Sequence, residues 1–298
     1  MNRARVERAL VSGASGFVGQ VLVSHLEAAA TRLRFGDDDW LDQVASADFR
    51  DATVFHLAAR AHEARLASEQ AYFRDNVEKT RALAFAAAQR GARRLVFLSS
   101  VKVNGEETRQ RPFRAGDTPA PEDAYGRSKS LAEQALATVP GLEVVIVRAP
   151  LVYGSGAKGN LLSLLRLADT PWPLPFGAIR NRRSFIHVDD LARLLIDCAL
   201  HPAAAGRTFF AAHGESISTP QLVSSLRTHL GRTPRLAAVP PVLLEAGAAL
   251  AGQRLRMRRL TRSLEVDASE TTRQLGWTAQ IGLEPAVEDM VRAYRGDA

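Results

Sequence analysis

The sequence predicts a doubly wound parallel α/β sheet, and three observations support it. An opening apolar strand runs into a glycine-rich turn and a helix; short apolar strands then alternate with longer amphipathic helices; and the strands are apolar throughout rather than at every second position. The last pattern belongs to strands buried on both faces, as in a parallel sheet covered by helices on each side.

The opening strand, Ala9, Leu10 and Val11, leads into Gly13-Ala14-Ser15-Gly16-Phe17-Val18-Gly19 and then into an amphipathic helix over 18–29. Three glycines at intervals of three make a phosphate cradle. Gly13 permits a tight turn, Gly16 lets a pyrophosphate approach the backbone, and Gly19 lets the helix pack closely on the strand. The helix amino terminus then faces the anion. Gly13, Ser15, Gly16, Phe17, Val18 and Gly19 are therefore candidate cofactor contacts, and NAD or NADP is the candidate cofactor.

After that helix the chain is short of one unit. Residues 31–35 can form a strand, Asp37-Asp38-Asp39 can cap a helix over 40–47, and 53–57 is already the next apolar strand. A nucleotide-binding half ordinarily fits two strand–helix units here, with an acidic residue about 20 positions beyond the glycines to hold the adenosine ribose. Either 32–35 is the second strand and Asp37 the ribose ligand, or that strand is missing and Asp37 lies beside the adenine. The aspartates also suit simple helix capping, and NAD is not separated from NADP on this basis. Alternation then resumes: strand 53–57, helix 70–90, strand 94–98, helix 124–139, strand 143–147. Beyond Pro150 come a glycine-rich loop at 154–159, a turn holding Pro171, Pro173 and Pro175, and helices over 220–230, 242–251 and 284–293. The expectation is a Rossmann domain over 1–153 that carries cofactor and chemistry. A smaller part over 154–298 mainly binds substrate, with some segments returning to the main sheet.

With 298 residues, 46% hydrophobic and 24% charged, the chain reads as globular. No signal-peptide core and no run of about eighteen apolar residues predicts membrane insertion. The single cysteine, Cys198, lies in the apolar helical run 188–200, which excludes disulfides and a cysteine metal site and points to a reducing cytoplasm. His56 and His187 border apolar segments, where a histidine is usually a satisfied core residue. No His, Asp or Glu cluster has ligand spacing, so no metal is expected. The net charge of +7 comes from 39 basic and 32 acidic residues. Arginine runs at 180–183 and 254–262 lack interleaved aromatics and any helix-turn-helix or zinc pattern, which argues against nucleic acid. A guanidinium fork suits the phosphates of a small anionic molecule equally well.

Chemistry concentrates where strand 94–98 ends in Ser99-Ser100 and the next helix opens with Tyr125-Gly126-Arg127-Ser128-Lys129. Tyr125 and Lys129, four apart, share a helical face, so the ammonium can sit beneath the phenol. A phenol titrates near 10, and a fixed cation lowers that value; a depression of roughly three units takes about 4 kcal/mol of differential stabilisation. Tyr125 then serves as acid and base. Ser100, at the carboxyl end of a central strand, can hydrogen-bond the same substrate oxygen. Lys102 can touch substrate or stay solvated, and Arg258 and Arg259 can reach a phosphate oxygen or form a solvated face. The stripe Leu191, Leu194, Leu195, Cys198 has helical spacing and is core.

Val11-Ser12-Gly13 through Gly19, His56-Leu57-Ala58-Ala59, Asn76-Val77, Leu98-Ser99-Ser100, Tyr125 to Lys129 and Arg183 to Asp190 together resemble the extended short-chain dehydrogenase/reductase family. The likeness is strongest to its nucleotide-sugar epimerases, dehydratases and 4-reductases, and it covers nearly the whole chain. It implies a catalytic trio of Ser100, Tyr125 and Lys129, with Lys129 also holding the cofactor ribose. It further implies cofactor contacts at Leu57, Ala58 and Ala59, an asparagine near the active site at Asn76, and diphosphate contacts at Asn160 and Arg183. By the same resemblance the substrate is a UDP-sugar and two copies pair through the helices around 70–90 and 125–139. Stretches 99–106 and 181–185 look most like bacterial proteins of surface-polysaccharide synthesis, either 4-epimerases or reductases of UDP-4-keto-6-deoxy-N-acetylhexosamine. Asn104 stands where many relatives have tyrosine, and Leu151 where many have asparagine. The shortened adenosine segment favours a cofactor that comes and goes, hence a 4-reductase over a 4-epimerase with retained NAD. Ser100-Val101 offers no acidic pair of the dehydratase kind. A non-catalytic dinucleotide-binding sensor or scaffold would be expected to have lost Tyr125 or Lys129, and both are present.

Overall fold

In the computed structural model, which describes residues 5–36, 38–61, 68–157 and 159–296, the chain alternates strands and helices from its start. The first half runs β1 (Ala9–Ser12), α1 (Phe17–Leu26), β2 (Ala30–Leu33), α2 (Trp40–Ser46), β3 (Thr53–His56), α3 (Glu69–Phe73), α4 (Lys79–Gln89), β4 (Arg94–Ser100), α5 (Ala124–Ala137) and β5 (Glu143–Ala149). The second half runs β6 (Leu151–Tyr153), α6 (Asn160–Ala168), β7 (Phe185–His187), α7 (Val188–Leu200), β8 (Thr208–Phe210), α8 (Thr219–His229), α9 (Pro241–Leu250), α10 (Arg254–Thr261), α11 (Ser269–Leu275) and α12 (Leu283–Arg295). Six strands form one parallel sheet in the order β2-β1-β3-β4-β5-β8, and β6 pairs in parallel with β7 in a second, smaller sheet.

The continuous apolar runs have the expected cause. Ala9, Val11, Phe55, Val96, Val145 and Val147 turn to one face of the sheet and pack with Leu22 of α1 and Leu191 and Leu194 of α7. The intervening Leu10, Val54, Leu95 and Phe97 turn to the other face, against Val44 of α2, Leu83 of α4 and Leu136 of α5. Alternation along each strand thus meets a hydrophobic layer on both sides. Cys198 lies in the first of these layers, fully buried, and burial pushes its thiol pKa up. A third core joins α6, α8 and α12 around Leu161, Leu165, Val223, Leu226, Val287 and Val291.

Of the two readings of the shortened segment, the second strand is present. β2 pairs with β1, and the chain then crosses through the seven-residue α2 to β3 on the other side of β1. β2 is left as the sheet edge, with Thr31 and Arg32 exposed, and no strand lies beyond it among the described residues. Asp37 lies outside the described residues.

The helix expected over 70–90 is interrupted. Arg74–Glu78 forms a π-helical turn between α3 and α4. The cause is tertiary: Asn76 on that turn donates to the Arg60 carbonyl at 3.1 Å and to Ser128 Oγ at 2.9 Å, and Asp75 pairs with Arg60 at 2.7 Å. One widened turn lets the helix serve those partners, a common use of π-bulges.

Fully buried His56 is a satisfied core residue. Ser12 Oγ lies 2.5 Å from its Nδ1 and Thr80 Oγ1 lies 2.7 Å from its Nε2, while Thr80 itself donates to the Asn76 carbonyl at 2.7 Å. Since Thr80 spends its proton on Asn76, it accepts from Nε2, so Nδ1 accepts from Ser12. Burial, with Lys129 adding, holds the imidazole neutral down to about 3.

A Cβ on Gly19 would lie 2.0 Å from the Gly13 carbonyl oxygen, so Gly19→Ala should destabilise the chain by about 3 kcal/mol or more in urea unfolding. At Gly16 the nearest atom would be 3.2 Å away, so Gly16→Ala should cost under about 1 kcal/mol while weakening dinucleotide binding. For His56, the unfolded chain binds a proton that the folded chain refuses between the ordinary 6.5 and about 3. Stability should therefore fall on acidification, by about 2 kcal/mol from this residue between pH 6.5 and 5. His56→Gln, itself less stable at neutral pH, should show a smaller loss of Tm over that interval.

Candidate active site

The candidate catalytic residues meet where α5 crosses the carboxyl end of β4. Asp123 caps α5, accepting from the Gly126 amide at 2.7 Å. Gly126 lets the first turn sit against the 101–103 turn, since a Cβ there would stand 2.7 Å from the Lys102 carbonyl oxygen. This seating brings the Tyr125 phenol close enough to the Ser100 hydroxyl for Ser100 to favour the phenolate. Ser100 Oγ also accepts from the Lys102 amide at 3.3 Å.

Lys129, one turn further along α5, is 2% exposed; its Nζ donates to the Leu98 carbonyl at 2.7 Å and stands 4.2 Å from the centre of the Phe97 ring. Another turn on, Glu133 forms a buried ion pair with Arg148 of β5 at 2.5 Å and accepts from Ser99 Oγ at 2.5 Å. Tyr125, Lys129 and Glu133 thus share the face of α5 turned to Leu98, Ser99 and Ser100.

Among the protein's own groups, burial raises the Tyr125 pKa, Asp123 and Tyr72 add to the rise, and the Ser100 hydroxyl opposes it, so the lowering expected of Lys129 falls to its joint action with the positive ring of an oxidised nicotinamide. Burial also pulls Lys129 down to about 7, against the carboxylate of Glu133. Desolvation disfavours whichever form is charged, so the same burial keeps the phenol protonated and strips charge from the amine.

The cradle at the start of α1 fits a dinucleotide. Gly16 caps the helix in an extended conformation and no acidic residue occupies the first turn. Ser15 and Gly16 are exposed, Gly13, Phe17 and Val18 half-buried, and Gly19 buried against the Gly13 turn. The amides of that first turn have no partner within the helix and remain for an anion. Leu57, Ala58 and Ala59 follow the carboxyl end of β3, all half-buried, with Leu57 N donating to the Ser12 carbonyl at 3.1 Å and Ala58 N to Ser12 Oγ at 3.4 Å. These residues would hold NAD. Asn76 sits behind them: it is 1% exposed, and its side chain accepts from the Arg60 amide at 2.7 Å and donates to Arg60 and Ser128. It braces the loop after β3 against α5.

Lys102 is held by Glu106 at 2.6 Å and by Asp123. Arg259 approaches the same two carboxylates at 3.7 Å, and Arg258 pairs with Glu107 at 3.2 Å. Arg183 donates to the Arg262 carbonyl at 2.9 Å, and burial draws its pKa to about 10, with Glu106 and Arg259 as its charged neighbours. Lys102, Arg183 and Arg259 therefore gather around Glu106 beside Tyr125. Asn160 opens α6 with its side chain exposed, and no described contact ties it to that cluster. Sequence reasoning missed Glu133, Arg148, Asp123 and Glu106. Two carried a signal: Glu133 lies eight residues beyond Tyr125 on one helical face, and Arg148 is a charge inside an apolar strand. Among the described residues, no cluster of His, Cys, Asp or Glu could hold a metal, and no helix is long and apolar enough to cross a membrane.

Known proteins resemble this chain in sequence and fold. UDP-glucose 4-epimerase of Vibrio cholerae is 37% identical over 310 aligned positions, covering 96% of this chain and 94% of its own. A dTDP-4-keto-6-deoxy-D-glucose reductase of Streptomyces niveus is 34% identical, covering 66% of this chain and 70% of its own. The crystal structure of UDP-glucose 4-epimerase with UDP-glucose from Thermotoga maritima superposes with a TM-score of 0.77 at 20% identity, covering 97% of this chain and 99% of that one, a likeness of fold. The sequence pattern of the NAD-dependent epimerase/dehydratase family matches residues 9–211, from β1 to just past β8. With that match and a full-length relative this similar, the chain is an enzyme of the NAD-dependent epimerase/dehydratase family.

Proposed function

We propose that this enzyme inverts the configuration at C4 of a UDP-hexose, with Tyr125 as acid and base, Ser100 as the partner of the C4 oxygen and NAD retained in the α1 cradle. The meeting of the Ser100 and Tyr125 hydroxyls above buried Lys129 carries the C4 chemistry. The 37% identity to a UDP-glucose 4-epimerase along nearly the whole chain favours epimerisation.

Bound in the cradle, NAD supplies a hydride acceptor and a positively charged ring. The protein supplies the proton path and the position. With that ring and the Lys129 cation offsetting its burial, Tyr125 would be a phenolate when its Oη takes the proton of the C4 hydroxyl, and as the phenol it returns that proton, while Ser100, whose Oγ already accepts from Lys102 N, donates to the same oxygen. Lys129 would be the cation beneath, tied to the Leu98 carbonyl, with Glu133 opposing the burial that lowers its pKa. Arg183 and Asn160 would hold the diphosphate, leaving the hexose free to present either face. We also infer a homodimer through α4 and α5 with their neighbouring turns, where Phe73 and Leu131 are 43% and 42% exposed.

A second reading, reduction of a UDP-4-keto-6-deoxy-N-acetylhexosamine, is favoured by the missing strand beyond β2, which removes contacts for the adenosine half. Denaturing freshly purified protein and quantifying released nucleotide by mass spectrometry separates the two. Near-stoichiometric NAD, with UDP-glucose and UDP-galactose interconverting without added cofactor, is expected. An empty site, with NADH or NADPH consumed by the 4-keto sugar, would replace the epimerase with the reductase.

Tyr125→Phe should lower kcat by a factor on the order of 10² or more and leave UDP-sugar binding nearly intact in calorimetry; unchanged turnover would remove Tyr125 from the mechanism. Glu133 raises the Lys129 pKa, so Glu133→Gln, which keeps the shape and loses the charge, lets burial lower it further. The alkaline limb of the kcat–pH profile should then move towards acid.

A further inference from the structure

The α9–α10 hairpin leaves a concentrated apolar surface uncovered. Val242 is 76% exposed, Leu243 62%, Leu250 94% and Leu255 71%, and α9 buries none of its ten residues. Its one charged residue, Glu245, turns back to Thr261 at 2.7 Å and to Arg262 at 2.9 and 3.0 Å. The outward face of α9 is therefore free of charge. Arg254 and Arg256 follow at the start of α10, both exposed and without an acidic partner among the described residues, whereas Arg258 and Arg259 are held by Glu107, Glu106 and Asp123.

Large aliphatic side chains beside unpaired guanidiniums match the boundary of a bilayer. The aliphatic groups enter the acyl edge, and the guanidiniums meet anionic headgroups. At 1.5 Å per residue, α9 is about 15 Å long, enough to lie in the interface and too short to cross it. The net charge of +7 draws the whole molecule to such a surface.

We propose that the α9–α10 hairpin docks the enzyme on an anionic membrane surface, with Leu243, Leu250 and Leu255 as the inserted groups and Arg254 and Arg256 as the headgroup contacts. The test is flotation of the full-length protein with vesicles of phosphatidylcholine alone or mixed with phosphatidylglycerol. The protein should float with the mixed vesicles, stay behind with phosphatidylcholine alone, and be released by salt. Leu243→Glu/Leu250→Glu and Arg254→Glu/Arg256→Glu should each weaken partitioning on the order of tenfold or more, with Tm and turnover of the soluble sugar nucleotide unchanged. Wild-type protein that stays behind at low salt, or double variants that float as well as wild type, would overturn the proposal. Sedimentation showing that Leu243→Glu/Leu250→Glu breaks an assembly of the wild type would overturn it too, and assign the face to a second copy.

Discussion

Glu133 and Arg148 meet at 2.5 Å with side chains 8% and 6% exposed. Removing two ions from water costs several kcal/mol each, and close geometry offsets that only when the remaining lone pairs and protons are also served. Here they are. Ser99 donates to Glu133, and Arg148 also donates to Asn104 Oδ1 at 3.1 Å and to the Ala115 carbonyl at 3.2 Å. The pair ties α5 to β4 and β5 at one level, and the spacing of four residues along α5 then puts Lys129 opposite Leu98 and Tyr125 opposite Ser100. The catalytic geometry is set one and two helical turns away from the reacting groups, by side chains that do not touch substrate.

The same burial that orders the site opposes its charged states. Tyr125 is held in its neutral form, and Lys129 titrates at about 7 and so is only partly cationic near neutral pH. Glu133 therefore has two effects, positioning α5 and biasing Lys129 towards its charged form. Asp123 works the other way on Tyr125, but it is neutralised in part by Lys102, whose ammonium lies between Asp123 and Glu106. An anionic diphosphate near Arg183 and Arg259 would compete with those carboxylates for the guanidiniums and so redistribute charge beside the phenol. Substrate binding and proton transfer are linked through this cluster.

Strands β1 to β5, most helices and the glycine cradle were legible in the sequence because each rests on a local pattern with a steric or hydrophobic cause. The Gly13–Gly19 spacing states its own contacts, and Tyr125 and Lys129 share a face by helical periodicity alone. What was illegible depends on groups brought together from afar. The π turn at 74–78 exists because Asn76 reaches Arg60 and Ser128, sixteen and fifty-two residues away. The direction of the Tyr125 shift depends on how deeply α5 is seated, which no spacing reveals. β8 joins β5 across fifty-nine residues, and its three residues, Thr208–Phe210, carry no sequence mark that distinguishes an edge strand from a loop.

The sheet edge at β2 shows how the two halves of the cofactor site differ. Towards the catalytic end, β1, β3 and β4 are central strands, and the Gly13 turn, Ala58 and Ser100 follow their carboxyl ends on a rigid, doubly covered layer. Towards the adenosine end the sheet stops after β2. The chain closes over itself there with side chains: the Phe35 and Trp40 rings meet tilted at 52°, centroids 5.4 Å apart, and Lys79 donates to the Phe35 carbonyl at 2.8 Å while standing 5.5 Å over the Trp40 ring. Aromatic and cation contacts of this kind hold a segment in place but offer an adenosine less backbone to bind than a further strand and its loop would. Such an edge would leave hydride and proton chemistry untouched and act on how long the cofactor stays, which is the property in which an epimerase and a reductase built on one catalytic trio differ.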